Sequence, residues 1–381
     1  MAKINNNPVI EIKTKNNRNP ILNIKTNAWS YNVQTIGDVH LGRTFRTGVS
    51  TSNFGIREKL VLKDFESLLN PEEESQINFV VVMGDLFDKF IVKPSVVNNA
   101  VKLIESAVKQ NPYIHYFIIP GNHDLSKDKT KVSSYHLFNK IFESNLYNNL
   151  SVIFNESILY KVSEDLYFYL DAYDPFHKES TDENLELIFK DTISKDSQVI
   201  SFGHWDNPKN DFAHYLPSES ILKYSNMIVS GHIHTPEKFQ KDKIKYIYTG
   251  SLQPYSHAED PNNTYYKTIL YTDLEKLLKK SHEHLEKFKY LNVRINCYPG
   301  YLISEPLDCL SLTYNNIIDI PKEINENLEV IEVTPDSITD FTSLYLYKLK
   351  YEYEVEEEII LKINNFLKDN SEDVSFTLDK E

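Results

Sequence analysis

Apolar residues along this chain come in two rhythms: short dense runs that close on glycine, and longer stretches that repeat at helical spacing. The run Phe79–Met83 is unbroken and rich in β-branched residues. That marks a strand buried on both faces, and so a central strand of a parallel sheet. It runs straight into Gly84-Asp85, with a second acid at Asp88. Two similar runs behave alike: "YNVQTI" ends at Gly37-Asp38 and His40, and "YIHYFIIP" ends at Gly121-Asn122-His123-Asp124. Between them the period changes. Leu60, Val61, Phe65, Leu68 and Leu69 make a helical stripe within residues 56–69, and Val97, Val101, Ile104 and Val108 make another behind Pro94, a residue suited to a first helical turn. This alternation predicts βαβ units.

The second half follows a different pattern. Residues 165–174, 197–206, 226–235 and 243–251 predict strands with short connections, two of them closing on Gly-His. A βα half followed by a mostly β half predicts an α/β fold in which two mixed sheets pack together with helices outside. Residues 1–30 form a polar extension with a near-repeat, "NPVIEIKT" (7–14) and "NPILNIKT" (19–26). It is open to reading as two short strands, a disordered arm or an assembly contact. Residues 31–260 are expected to form the main domain, 261–335 a small α+β cap, and 336–381 an acidic C-terminal segment. In that segment Leu349, Tyr351, Tyr353 and Val355 alternate as in a strand, and Ile359, Ile363, Phe366 and Leu367 recur at helical spacing.

Composition narrows the setting. No run of eighteen apolar residues exists, so no membrane span is expected, and the polar start lacks a secretion signal. Two cysteines, Cys297 and Cys309, support neither a disulfide framework nor a four-thiolate zinc site. The expected compartment is the cytoplasm (the host's, if the chain is phage-encoded). A net charge of -14 argues against coating nucleic acid non-specifically. It leaves room for a local grip.

Chemistry collects at the strand ends. Asp38-x-His40, Gly84-Asp85, Gly121-Asn122-His123-Asp124, Gly203-His204 and Gly231-His232-x-His234 each follow an apolar run, where open α/β sheets bind ligands. Carboxylate, amide and imidazole donors without thiolate suit manganese, iron or zinc better than calcium. Five such ends converging on one crevice suffice for two ions sharing a carboxylate. A lone histidine at a strand end is usually an ordinary polar residue, and His115, His136, His177, His214, His257, His282 and His284 are read so.

The order "GDVH", "GDLFD", "GNHD", "GHWD", "GHIH" resembles the calcineurin-like metallophosphoesterase superfamily over residues 33–251. Within it the resemblance is to the SbcD-type nucleases, which include the nuclease subunit of the double-strand-break repair complex and the small subunit of the T4-type phage recombination endonuclease. "GDVHLG" and "GDLFD" stand as that branch writes them, without the arginine that follows the second acid in Ser/Thr phosphatases. "YIYTGSLQPYSHAED" resembles the stretch that closes the nuclease domain.

The resemblance implies a metallophosphoesterase sandwich and a two-metal DNA exo/endonuclease acting in recombination and repair. Asp85 would bridge two divalent ions, manganese foremost, with magnesium, iron(II) or zinc as alternatives. Asp38, His40 and His234 would complete one shell; Asn122, His204 and His232 would complete the other. His123 would steady phosphate charge or protonate the leaving 3′ oxygen, with Asp88 fixing its ring, and Asp124 is expected to cap a turn. The N-terminal extension is not expected to touch the site. Arg43, Arg46, Arg57, Lys127, Lys129 and Lys131 flank the motifs and would meet DNA phosphates. The expected partners are DNA, a coiled-coil ATPase of the SbcC type docked on C-terminal anchors Ile359, Ile363 and Phe366, and a second copy as a homodimer. The alternative is a phosphatase or phosphodiesterase for small-molecule or nucleotide substrates. A non-catalytic scaffold is disfavoured because none of the seven ligands is missing.

Overall fold

The computed structural model describes residues 11–13, 18–128, 130–144, 147–176, 185–194, 196–278, 288–297, 307–316, 359–360 and 362–363. The first sheet contains β1 (Glu11–Lys13), β2 (Ile21–Lys25), β3 (Ser30–Ile36), β4 (Phe79–Met83), β5 (His115–Ile119) and β6 (Leu150–Val152), in that spatial order. β3 to β6 are parallel, and β1 and β2 add an antiparallel edge. Helices α1 (Ile56–Leu69), α2 (Pro94–Gln110) and α3 (Ser134–Ser144) cover its outer face.

All five residues of β4 are buried, and the period-2 geometry of a strand gives the reason. Val80 and Val82 face the helices, among Val61, Phe65, Ile104 and Phe138. Phe79, Val81 and Met83 face the second sheet, among Phe168, Phe202 and Val229. Phe79 and Phe168 meet edge to face at 5.1 Å. Truncating a ring such as Phe168 to alanine costs about 3–5 kcal/mol, because close-packed walls collapse only partly.

The second sheet contains β7 (Ile158–Ser163), β8 (Leu166–Leu170), β9 (Gln198–Gly203), β10 (Met227–Ser230), β11 (Glu237–Lys241) and β12 (Ile244–Tyr248). Its order is β11-β12-β10-β9-β8-β7, parallel within and antiparallel at both edges. Helices α4 (Leu185–Thr192) and α5 (Glu219–Tyr224) pack outside it through Leu185, Phe189 and Ile221. This half is mostly β, as expected, with two short helices set between its strands. Its helices run only eight and six residues, too short to print a clear 3.6-residue period. The sandwich of two mixed sheets with helices outside is the observed fold.

The near-repeats at the N-terminus supply β1 and β2. Leu22 and Ile24 are buried between the sheets, so residues 18–30 are part of the first sheet, and a boundary at residue 31 would cut through β3. Beyond the sandwich, β13 (Tyr266–Leu270), β14 (Asn292–Cys297) and β15 (Ser311–Asn316) form a parallel sheet with α6 (Tyr271–Leu278). Cys297 and Cys309 are buried there and unpaired. Of residues 336–381 only Ile359, Ile360, Lys362 and Ile363 are described, all helical; the expected strand at 349–355 and the anchor Phe366 lie outside the described residues. Among the described residues no helix is long and apolar enough to cross a membrane.

Candidate metal centre

All the expected donors leave the carboxyl ends of parallel strands. Asp38 and His40 follow β3, Asp85 follows β4, Asn122 follows β5, His204 follows β9, and His232 and His234 follow β10. The turns are unusually tight. His40, Asp85 and His232 hold left-handed backbone at φ 51°, 48° and 72°, a conformation that L residues keep only when their surroundings enforce it. Gly84 sits at φ 97°, and a Cβ placed there would overlap the His204 ring. Only glycine lets β4 deliver Asp85 beside that ring.

The structure brings the seven residues together. Asp85 lies between two clusters: its Oδ2 is 3.8 Å from His40 Nε2 and its Oδ1 is 3.4 Å from His204 Nε2. On one side His40 Nε2 and His234 Nε2 are 3.1 Å apart, beside Asp38. On the other, Asn122 Oδ1 lies 2.9 Å from both His204 Nε2 and His232 Nδ1, and those two nitrogens are 3.3 Å apart.

The outer ring nitrogens decide which inner atoms carry lone pairs. His204 Nδ1 donates to the Met83 carbonyl at 2.9 Å. His232 Nε2 faces Asp206 Oδ1 at 2.8 Å, and His234 Nδ1 faces Glu259 Oε2 at 3.4 Å. Each outer atom must be an N–H, so each inner nitrogen of a neutral ring is an acceptor. With Asp38, Asp85 and Asn122 Oδ1, the centre is a set of acceptors aimed at one another. Such a set calls for cations, and its mix of imidazole, carboxylate and amide oxygen fits divalent transition metals. Without an ion the same cluster of acceptors draws in a proton instead. Burial would lower His204, yet Asp85 and Asp38 drive it up to about 10. Burial raises Asp38. Asp85 stays below the usual carboxylate range, because His204, His40 and His123 outweigh the desolvation that opposes them. His40, almost fully buried, is pushed down to about 3 by burial.

His123 stands at the mouth. Its ring is half exposed, Nε2 is 4.0 Å from Asp85 Oδ2, and its backbone N–H donates to Asp85 Oδ1 at 2.8 Å. Nδ1 donates to the backbone carbonyl of Asp88 at 2.6 Å. The group of Asp88 that meets the His123 ring is therefore its backbone carbonyl. The Asp88 carboxylate turns instead toward His40 Nδ1 at 3.6 Å and Arg43 at 3.7 Å. Asp124 accepts from the N–H groups of Leu86, Phe87 and Gly121 at 2.8–3.0 Å and staples two site loops together.

The basic residues separate. Arg43 stacks over Tyr255 at 4.8 Å and lines a cleft of about 430 Å³ that opens from His40 between Phe45, Lys89 and Lys93. Arg46 lines the same cleft, paired with Glu58 at 2.7 Å. Lys131 and Tyr173 line a second cleft of about 310 Å³, and Tyr173 lies against His204. Lys127 is exposed and Lys129 lies outside the described residues. Arg57 departs from expectation: it is 3% exposed, donates to the Pro254 carbonyl, and is enclosed by Phe45, Tyr265 and Tyr266. One turn before Val61, it sits on the buried face of α1 and cannot reach a duplex.

Sequence reasoning missed Asp206, Glu259 and Tyr255. Tyr255 donates to the Val39 carbonyl and packs edge-on against His40 and His234. The expectation that the N-terminal extension stays clear of the site is also corrected, since Arg18 donates to the His234 carbonyl at 2.6 Å.

Residues 33–236 match the family described as calcineurin-like phosphoesterase. Among curated proteins, the chain is similar to the DNA double-strand break repair protein Mre11 of Archaeoglobus fulgidus, 26% identical over 247 residues, 59% of this chain and 50% of that protein. It is likewise similar to the protein of that name from Methanococcus maripaludis, 26% identical over 198 residues, covering 49% of each. The chain spans about half the length of the curated relatives it matches. Among solved structures, a dimetal phosphatase from Danio rerio aligns with a TM-score of 0.39 and 11% identity, over 58% of this chain and 88% of that one.

Proposed function

We propose that this chain, which belongs to the calcineurin-like phosphoesterase family and is thus a metal-dependent phosphoester hydrolase, cleaves phosphodiester bonds in DNA during recombination and repair. The observation that carries the reading is the acceptor-only centre, with donors for two ions on either side of Asp85. Asp38, His40 and His234 would hold one ion, and Asn122, His204 and His232 the other, with manganese the first choice. When bound, two such ions supply Lewis acidity to the phosphate and acidify a water molecule. The chain's own residues do the rest. Asp85 keeps the two positions in fixed relation. His123, with Nδ1 tied to the Asp88 carbonyl, points Nε2 at the mouth, where it steadies phosphate charge or hands a proton to the leaving 3′ oxygen.

Two observations favour DNA over a small diester. The curated relatives are DNA-repair proteins, and a cleft lined by Arg43, Lys89 and Lys93 opens from His40, while a second, lined by Lys131, lies behind Tyr173, which packs against His204. A strand crossing the centre would meet Arg43 on one side and Lys131 on the other. A coiled-coil ATPase of the SbcC type, docked through residues 336–381, would supply the wider grip that an acidic chain lacks. The test is cleavage of linear duplex DNA and of a small phosphodiester by the purified chain with manganese. Metal-dependent DNA cleavage is expected. Turnover of the small diester alone would overturn the reading.

A further inference from the structure

Two residues ahead of the family match reach into one half of the centre. Arg18 donates to the His234 carbonyl at 2.6 Å, to Ser251 Oγ at 3.0 Å and to the Glu259 carbonyl. Glu259 is the carboxylate that faces His234 Nδ1. Asn19 holds the other wall. Its Oδ1 accepts from Gly37 N–H at 2.8 Å, directly before Asp38, and its Nδ2 and N–H donate to the Leu252 and Thr249 carbonyls. Asn19 manages this from a left-handed backbone at φ 49°.

These contacts share one address. Gly37 sets the start of the Asp38–His40 turn, and His234 and Glu259 set the position and ring angle of His234. Among the described residues neither Arg18 nor Asn19 touches Asn122, His204 or His232; the His204 and His232 rings rest on Met83 and Asp206, and the His232 N–H on the Asp38 carboxylate. Arg18, Asn19, Ser251 and Glu259 all lie outside the matched residues 33–236. Burial lowers the Arg18 pKa while Glu259 and Asp260 oppose that effect, as befits a cation placed among loops it must hold.

We propose that Arg18 and Asn19 form a strap that positions the Asp38–His40–His234 half of the centre and leaves the other half independent. This rests on the two-metal reading above. They are positioning residues: neither points at the reacting atoms, and both act through the loops they join.

The experiment is calorimetric titration of the metal-free full chain with Mn²⁺, alongside the electron-spin signal of paired manganese. The parent should bind two ions. Arg18→Met keeps the aliphatic stem and removes every donor; it should hold one ion at parental affinity and the second about 10–100-fold more weakly, the usual size of an outer-partner effect. Arg18→Lys should recover part of the loss. Asn19→Gly tolerates the left-handed backbone and deletes only the side-chain bonds, so it should weaken the same ion. Both variants binding two ions as the parent does, or losing both equally, overturns the strap. So does failure of both to fold, judged by circular dichroism, since the segment would then be a structural clamp. A parent that binds fewer than two ions overturns the two-metal reading itself.

Discussion

Asn122, His204 and His232 follow strand ends, and the two histidine rings are held from behind by groups of the sandwich, the Met83 carbonyl at the end of β4 and Asp206 just past β9. His40 and His234 are held differently. His40 Nδ1 has no hydrogen-bond partner among the described residues and sees the Asp88 carboxylate only at 3.6 Å. His234 faces Glu259 at 3.4 Å, from a loop that Arg18 ties down. One half of the centre therefore inherits its rigidity from the parallel sheets, and the other borrows it from peripheral chain. A ring fixed by strand geometry loses little freedom when it binds an ion; a ring fixed by loops must be ordered by contacts that bring no metal donor of their own.

The harshest way to break the comparison is to remove what both halves share. Asp85→Ala takes a carboxylate from each side and should leave neither ion bound and no cleavage above background, while circular dichroism still reports the sandwich. Near-normal activity at saturating manganese would rule out a central role for Asp85. His123→Ala should separate chemistry from binding: both ions stay, and turnover falls about 100- to 10,000-fold, the range of a general acid–base contribution. Elemental analysis decides the point, since loss of one ion would make His123 a ligand.

A milder pair of substitutions sets the halves against each other. In Asp206→Asn, an oxygen turned to His232 would aim the amide at the His214 and Tyr215 N–H groups that Asp206 Oδ2 now accepts. Its cost should fall on the His204–His232 ion alone. Glu259→Gln should touch only the His234 ion. Each should weaken its own ion about 10–100-fold. If calorimetry shows both substitutions weakening the same ion, the division into two halves is wrong.

What the sequence announced was the part that repeats. Dense apolar runs closing on Gly-Asp or Gly-His gave strands with their chemistry at one end, and the fold places each of them so. The sandwich of two sheets was legible because β4 and its neighbours are apolar on both faces. α4 and α5 were not legible, being only eight and six residues long. Asp206 and Glu259 sat in plain view within "GHWD" and "SHAED", but a carboxylate's service to a ring 26 or 25 residues away in sequence is a tertiary fact. Arg57 shows the opposite failure. It falls one turn before Val61, on the stripe of α1, and its charge disguised a buried position that three aromatic rings accommodate. Arg18 could not be read at all: nothing local marks an arginine whose partners lie more than 200 residues on.

The smallest effects should come from the two clefts, and they ask whether DNA uses both halves alike. Arg43 is a third exposed, stacked on Tyr255 and loosely paired with Asp88, so its charge remains available at the His40 side. Lys131 offers the same on the His204 side, with Asp128 at 3.3 Å as a partner that a phosphate would have to replace. Arg46 is committed to Glu58 at 2.7 Å, and Arg57 is buried. Each phosphate contact releases counterions, so losing one should flatten the log–log salt dependence of duplex binding by about 0.9. Arg43→Ala and Lys131→Ala should each do this while leaving hydrolysis of a small phosphodiester unchanged. Arg46→Ala should move the slope less, and Arg57→Ala should move thermal stability without moving the slope. Equal loss on DNA and on the small diester would mean that Arg43 supports the centre through Asp88 and does not touch the strand. A slope altered by Arg43 but not by Lys131 would place the duplex wholly on the His40 side, the half whose geometry the peripheral chain maintains.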